Sequence, residues 1–433
     1  SMTQLPGLNS VLGDFDDRTV NIMNHRFELS RKGEDFFVEA DLIRDWSPPG
    51  FTAPRDRRLV KLLTGSHHMQ VYWTATGHSR RLEQIPIVHL VEANRWVPRD
   101  SVFLMPNRSM STEAGRWNKT CVKCHSTHGE GRVASGFEMD TRVAEFGIAC
   151  EECHGPGAQH VAINRDPKRR YQLRLAGNGD PTIVNPAKLS AKLQSHVCGQ
   201  CHGVHFDRTH DSHNDYQPGD DLLAMSPIIH LDSEETIIKF RADRGDIYVN
   251  GKFWPDGMLR VSGRELNGLV KSPCFTHGDE SRGIMSCLDC HSSHHHADDS
   301  RPLKIWANDQ LKPNAVGNAS CIKCHPKYSD PTALTSHTRH SANSSGSLCY
   351  NCHMPHTSYG LLNAIRSHTL DSPDIKVTQE TGRPNACNQC HLDKTLRWTA
   401  LHLTDWYDQP DVELSEEEKN VAASILQIVK GDA

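Results

Sequence analysis

Fourteen of the fifteen cysteines fall in pairs separated by two residues, and histidine follows the second member of every pair. The pattern occurs at Cys121, Cys124 and His125, at Cys150, Cys153 and His154, and at Cys198, Cys201 and His202. It returns at Cys287, Cys290 and His291, at Cys321, Cys324 and His325, at Cys349, Cys352 and His353, and at Cys387, Cys390 and His391. Cys-x-x-Cys-His is the attachment signature of a c-type haem. The two thiols add across the vinyl groups, and the adjacent histidine becomes the proximal iron ligand. Two intervening residues let one short turn offer both sulfurs to one porphyrin edge, and the next side chain then points at the iron. The spacing predicts seven covalent c-type haems.

Other chemistries of paired cysteine fit less well. Zinc ribbons need no histidine after each second cysteine. Disulfides leave the seven histidines unexplained, and a thioredoxin-like motif occurs once beside a βαβ pattern. With 28 histidines in 433 residues, seven coincidences of this kind are negligible.

The sixth position on each iron decides the class of protein. A second histidine gives a saturated, electron-transferring haem, whereas an open position permits substrate chemistry. Seven of the histidines are proximal, which leaves 21. His128, His205, His294 and His356 each fall three residues after a proximal histidine, most of them too close to reach the far face of their own haem and placed to ligate a neighbour. His160 follows Gly155-Pro156-Gly157 at short range, and His337 and His340 precede the sixth motif. His67 and His68 stand before a strand candidate and would let the N-terminal region donate a ligand. His25, His210, His213, His230 and His402 read as ordinary surface or core residues, while His196, His277 and His368 fall between the two groups. Cys274, in Ser272-Pro273-Cys274-Phe275-Thr276-His277, has no adjacent histidine. It reads first as a small buried side chain and second, with His277, as a reactive centre or axial ligand beside a haem.

These groups must be positioned by a chain that is only 36% hydrophobic, with a mean hydropathy of −0.58. Seven haems leave about 60 residues each, too few for separate domains. The expected fold is mostly α and irregular around a haem-dominated core, with a small N-terminal β-rich lobe and a β-hairpin insertion. Residues 1–118 form the lobe: Arg26 to Ser30 and Phe36 to Ala40 suggest a hairpin, and Met69 to Thr76 and Ile85 to Glu92 further strands. Residues 119–210 hold three haem sites. Residues 211–286 are the β insertion, where Thr236 to Phe240 alternates and Asn250-Gly251 signals a hairpin. Residues 287–410 hold four haem sites. In 411–433, Ser415 caps a helix that continues through Val429, its apolar stripe of Val421, Ile425, Ile428 and Val429 docked on the body.

A net charge of −5 makes no general case for nucleic acid, and the basic cluster Lys168-Arg169-Arg170 through Arg174 reads as a solvated face. No run of eighteen apolar residues predicts a transmembrane helix. No signal peptide is visible, and attachment of haem outside the cytoplasmic membrane implies a periplasmic or extracellular protein whose leader has been removed.

Three stretches carry a family resemblance: Cys150-Glu-Glu-Cys153-His154-Gly-Pro-Gly with His160, Cys349-Tyr-Asn-Cys352-His353-Met354-Pro355, and Pro384-Asn385-Ala386-Cys387-Asn388-Gln389-Cys390-His391 leading to Trp398. With Cys274 to His294 they span roughly residues 60–410, over which the chain resembles the multihaem cytochrome c superfamily, in the branch whose haem domain is often followed by helical repeats. The resemblance implies a distal-ligand role for His160 and His340. Similar turns occur in multihaem nitrite and hydroxylamine enzymes, but their Cys-x-x-Cys-Lys site is absent from this sequence. The leading expectation is a heptahaem electron-transfer protein with mostly bis-histidine haems, exchanging electrons with redox partner proteins. The alternative is an oxidoreductase acting on a small nitrogen or sulfur compound at one open haem, with Cys274 and His277 nearby. A third makes the β regions docking surfaces in a membrane-associated respiratory complex.

Overall fold

A computed structural model describes residues 3–41, 54–103, 112–177, 179–205, 216–231, 233–278 and 283–430. The chain divides into two compact units, one of residues 1–188 with 207–226, the other of residues 189–206 with 227–433. The first two motifs belong to the first unit and the remaining five to the second.

The N-terminal part of the first unit is a ten-stranded antiparallel sheet, larger than the small lobe the sequence suggests. Its strands are β1 (Thr3–Gln4), β2 (Arg18–Ile22), β3 (His25–Lys32), β4 (Asp35–Ala40), β5 (Asp56–Thr64), β6 (Met69–Ala75), β7 (Leu82–Gln84), β8 (Ile87–Leu90), β9 (Arg95–Pro98) and β10 (Glu113–Ala114). The main path runs β10-β7-β6-β5-β4-β3-β2, with β1 on β5 and β8 joined to β6 and β9. Alternation sets the register: Phe27 and Leu29 in β3 and Phe36, Val38 and Ala40 in β4 all face one core with Phe15, Tyr72, Ile85 and Ile87. Met23 and Asn24 both take positive φ in the two-residue turn between β2 and β3, the combination that matches strand twist in a tight hairpin. Buried Glu83 pairs with Arg58 and accepts from the Thr112 hydroxyl, so a charge inside the sheet is compensated on both oxygens.

The core is therefore not dominated by haem contacts. Side-chain clusters stand in both units, and the second unit has its own in Val204, Ile229, Leu231, Phe240, Val249, Phe253 and Leu259.

The expected β insertion is helical. Ser233 caps helix Glu234–Arg244 by accepting from Thr236 N, and Glu234 and Glu235 favour the positive helix end. Phe240 and Ile237, three apart, join one cluster while Ile238 is exposed, which is a helical and not a strand period. Asn250 ends a second short helix, Asp246–Asn250, and makes no hairpin. The terminal helix is also two pieces. The Ser415–Glu418 capping box starts Glu416–Asn420, extended Val421 interrupts it, and Ala423–Lys430 follows. Ile425, Ile428 and Val429 are exposed, so the expected docked stripe is not buried.

Candidate haem sites

The first cysteine of each motif lies on or beside a short helical segment, although the segments start and stop at different points of the motif. Cys150–His154 ends at Gly155, whose φ of 74° and amide bond to Glu151 O (2.9 Å) turn the chain away. Cys287–Cys290 starts with a capping box between Ser286 and Asp289. Cys198 lies near the end of Ala191–Gly199, capped by Ser190, and Cys349–His353 forms one turn of its own. In the first motif Val122–His125 follows the wider turn Trp117–Cys121, while Ala319–Ile322 and Cys387–Gln389 carry the first cysteines of the fifth and seventh.

The ring orientation of four proximal histidines is set by hydrogen bonds at Nδ1. His154 meets Val184 O at 2.7 Å, His291 meets Asp309 O at 2.8 Å, and His353 meets Asp371 O at 2.8 Å. His202 meets the carboxylate Oε2 of Glu265 at 2.6 Å. A carbonyl or carboxylate can only accept, so the ring proton is on Nδ1 and the lone pair is on Nε2, the arrangement a metal ligand needs. In two cases the backbone returns the bond, Val184 N to His154 O (3.1 Å) and Asp371 N to His353 O (3.2 Å).

The proximal rings of His353, His291 and His391 each face a second imidazole. His353 and His337 have centroids 6.2 Å apart with planes 4° apart. His291 and His368 are 6.3 Å apart at 25°, and His391 and His340 are 6.0 Å apart at 37°. Two imidazoles bonded on opposite sides of one metal at about 2 Å each put their centroids about 6 Å apart. His337 lies in the last turn of helix Pro331–Thr338, and Arg339 follows the helix with φ 59°, so one helix end carries the partner rings of two motifs. The Nδ1 of His340 lies 2.6 Å from Thr338 O.

The other candidates are placed differently. His67 and His68 pack edge to face on each other at 4.3 Å, too close to straddle a metal, and burial lowers the His68 pKa. His128 is exposed, 3.6 Å from Glu130. His160 Nδ1 lies 3.2 Å from Asp180, whose carboxyl is held well below its usual range by bonds from Thr182 and Asn164. His205 commits Nε2 to Gly199 O at 2.9 Å. His294 and His356 are exposed. His210 and His213 lie outside the described residues. Cys274 is half-buried, its thiol pushed up by burial and by nearby Cys324, and His277 Nδ1 lies 3.1 Å from its neighbour Thr276. Among the described residues no group of three or more His, Cys, Asp or Glu is arranged to hold a bare metal ion.

From sequence His368 stands between the stronger ligand candidates and ordinary histidines, and Glu265 carries no signal. His368 is 77 positions from the ring it faces and has no motif around it; burial lowers its pKa. Glu265 is 63 residues from His202. Neither separation leaves a local signal.

Within the second unit the motifs also meet through their thiols. Cys287 lies beside Cys198, and Cys349 beside Cys321. Cys290 is raised by burial and bonds Ser320, next to the fifth motif, and Cys352 lies near Cys390 and Cys387. Large apolar side chains beside the motifs, Ile148, Leu303, Ile305, Val316 and Leu392, are exposed as a porphyrin-covering surface would be. The chemistry of these residues fits covalent haem: paired thiols, an oriented imidazole and apolar cover.

The comparisons agree with that chemistry. Residues 68–155, which include the first two motifs, match the family described as cytochrome c554 and c-prime. A subunit of cytochrome c nitrite reductase, NrfA, from Nitratidesulfovibrio vulgaris is 22% identical over 282 residues, 62% of this chain and 48% of the relative. The C-type polyheme cytochrome OmcC of Geobacter sulfurreducens is 24% identical over 300 residues, 67% of this chain and 33% of the relative. The chain thus spans about half and a third of the lengths of these relatives. A crystal structure of the outer cell wall cytochrome OcwA aligns with a TM-score of 0.51 at 18% identity, covering 81% of this chain and 76% of that one. The motifs and the comparisons together place the protein among the multihaem c-type cytochromes. Its cofactor is c-type haem. No helix among the described residues is long and apolar enough to cross a membrane.

Proposed function

We propose that the protein is a heptahaem electron carrier, with haems at all seven motifs and histidine on both sides of most irons. Bound haem supplies a one-electron Fe(III)/Fe(II) couple; the chain's own part is to hold each haem, fix its ligands and set its neighbours. The observation that carries the reading is the three imidazole pairs at 6.0–6.3 Å, His353 with His337, His291 with His368 and His391 with His340. Two histidines leave no position for substrate, so these centres exchange electrons only. Contact between successive motifs, Cys198 with Cys287 and Cys321 with Cys349, supports a relay in chain order through the second unit. His160, oriented by Asp180, is proposed as a further distal ligand in the first unit. A periplasmic or extracellular location with protein redox partners suits this chemistry.

Mass spectrometry of the purified holoprotein tests the count, with seven haems expected and fewer sinking it. Electron paramagnetic resonance of the oxidised protein tests the ligation. Low-spin signals are expected to dominate, and a mostly high-spin spectrum would contradict the bis-histidine reading.

A second reading, an oxidoreductase with one open haem, draws on the likeness to a nitrite reductase subunit. Turnover of nitrite or hydroxylamine by the reduced protein would favour it, and its absence would remove it.

A further inference from the structure

We infer that Glu265 makes the haem held by Cys198, Cys201 and His202 electronically distinct, holding its potential below the value a backbone-bonded histidine would give. The inference rests on the reading that this third motif carries haem. In the three other motifs with a hydrogen-bonded Nδ1, the acceptor is a neutral backbone carbonyl, of Val184, Asp309 or Asp371. At His202 it is a carboxylate at 2.6 Å. A charged acceptor makes a stronger bond than a neutral one and draws the Nδ1 proton further from the ring. The imidazole becomes a more basic ligand, which stabilises Fe(III) relative to Fe(II) and lowers the potential.

The contact is built into the fold. Glu265 opens helix Glu265–Leu269, and Gly263 N donates to its other oxygen at 2.7 Å, which fixes the plane of the carboxylate. Leu266 N donates to His202 O at 2.9 Å, fastening the helix to the histidine's own backbone. One position later, Asn267 accepts from Val204 N at 2.7 Å and donates to Ile229 O at 2.9 Å. Three consecutive residues thus hold the carboxylate against one imidazole. Glu265 is a positioning residue, acting through His202.

The test compares the wild-type holoprotein with Glu265→Gln, which keeps an acceptor but loses the charge, and Glu265→Asp, which keeps the charge but shortens the reach. Mass spectrometry of the peptide containing Cys198 and Cys201 first establishes the haem. Potentiometric titration then follows each transition, and nuclear magnetic resonance of isotope-labelled histidine reads the His202 ring nitrogens. In Glu265→Gln the reduced-to-oxidised ratio of one haem at fixed potential should rise about tenfold, equivalent to about 59 mV for a one-electron couple. The His202 Nδ1 signal should move with it, and Glu265→Asp should shift both by less in the same direction. Unmoved potentials in both variants would overturn the inference. So would a moved potential with an unmoved His202 signal, which marks a through-space charge effect alone. A wild-type peptide without haem would instead overturn the seven-haem reading.

Discussion

At the scale of single residues, a histidine here is defined by which of its two nitrogens is occupied. His205 and His353 look alike in sequence, one beside a motif and one inside it. Yet His205 spends Nε2 on Gly199 O, while His353 spends Nδ1 on Asp371 O and presents Nε2 outward. Spacing along the chain marks where an imidazole is, but not which nitrogen is free. The seven motif histidines are legible in the sequence as proximal candidates, and the imidazoles that face them are legible only in part. His337 and His340 stand where short-range reasoning looked, whereas His368 reaches His291 only through the fold. Replacing His337 by alanine is expected to convert one haem from low-spin to high-spin and leave the covalent haem count unchanged; paramagnetic resonance with intact mass measures both. Cys274→Ala should likewise keep every haem, since that thiol is half-buried and belongs to no motif.

Elements decide what the residues can reach. The helix end at Arg339 is held in a left-handed conformation, which costs a non-glycine residue roughly 1–2 kcal/mol. Arg339→Gly should keep both haem ligand pairs, whereas β-branched Arg339→Val should lose low-spin character at two haems together, read from the same spectra. In the sheet, Glu83→Ala leaves the Arg58 guanidinium buried, with Asp56 at 2.9 Å as its remaining ion-pair partner among the described residues. The expected loss is about 3 kcal/mol of stability, the low end for breaking a buried pair, measured by denaturant unfolding. Strand alternation from Phe27 to Ala40 was readable because one face is wholly buried. Thr236 to Phe240 fits either period over five residues; the deciding signal is the Ser233 cap with Glu234 and Glu235 behind it. The C-terminal stripe is ambiguous for a different reason. Its spacing is helical, but extended Val421 breaks the segment, and amphipathicity does not say whether a partner surface exists.

At the scale of the whole molecule, the low hydrophobic content that suggested a chain wrapped on porphyrins is shared between two kinds of core. The sheet buries Phe, Leu, Val and Ile in the ordinary way, while the motif-bearing segments keep Ile148, Leu303, Ile305 and Val316 exposed on short turns. Composition averages over both and predicts neither. Five motifs in one compact unit, with thiols of successive motifs in contact, also set how the protein should titrate. Each electron added to one centre cancels a positive charge near the next, so neighbouring potentials fall as filling proceeds. The reductive titration should be stretched well beyond the width of independent identical couples. A curve that fits one n = 1 wave would contradict close spacing in the second unit.

The helix end that carries His337 and His340 also bears on the order of assembly. Both histidines precede the thiols of the sixth and seventh motifs in the chain. As a polypeptide emerges amino end first, those two partners are already available when Cys349 and Cys387 appear. His368 is the reverse case, arriving 77 residues after His291. The fourth centre would then spend a period with one face uncapped, open to water or a chaperone, until the chain beyond it is delivered. On the proposed His291–His368 pairing, the ligands of the fourth centre would be complete only after the sixth motif has emerged.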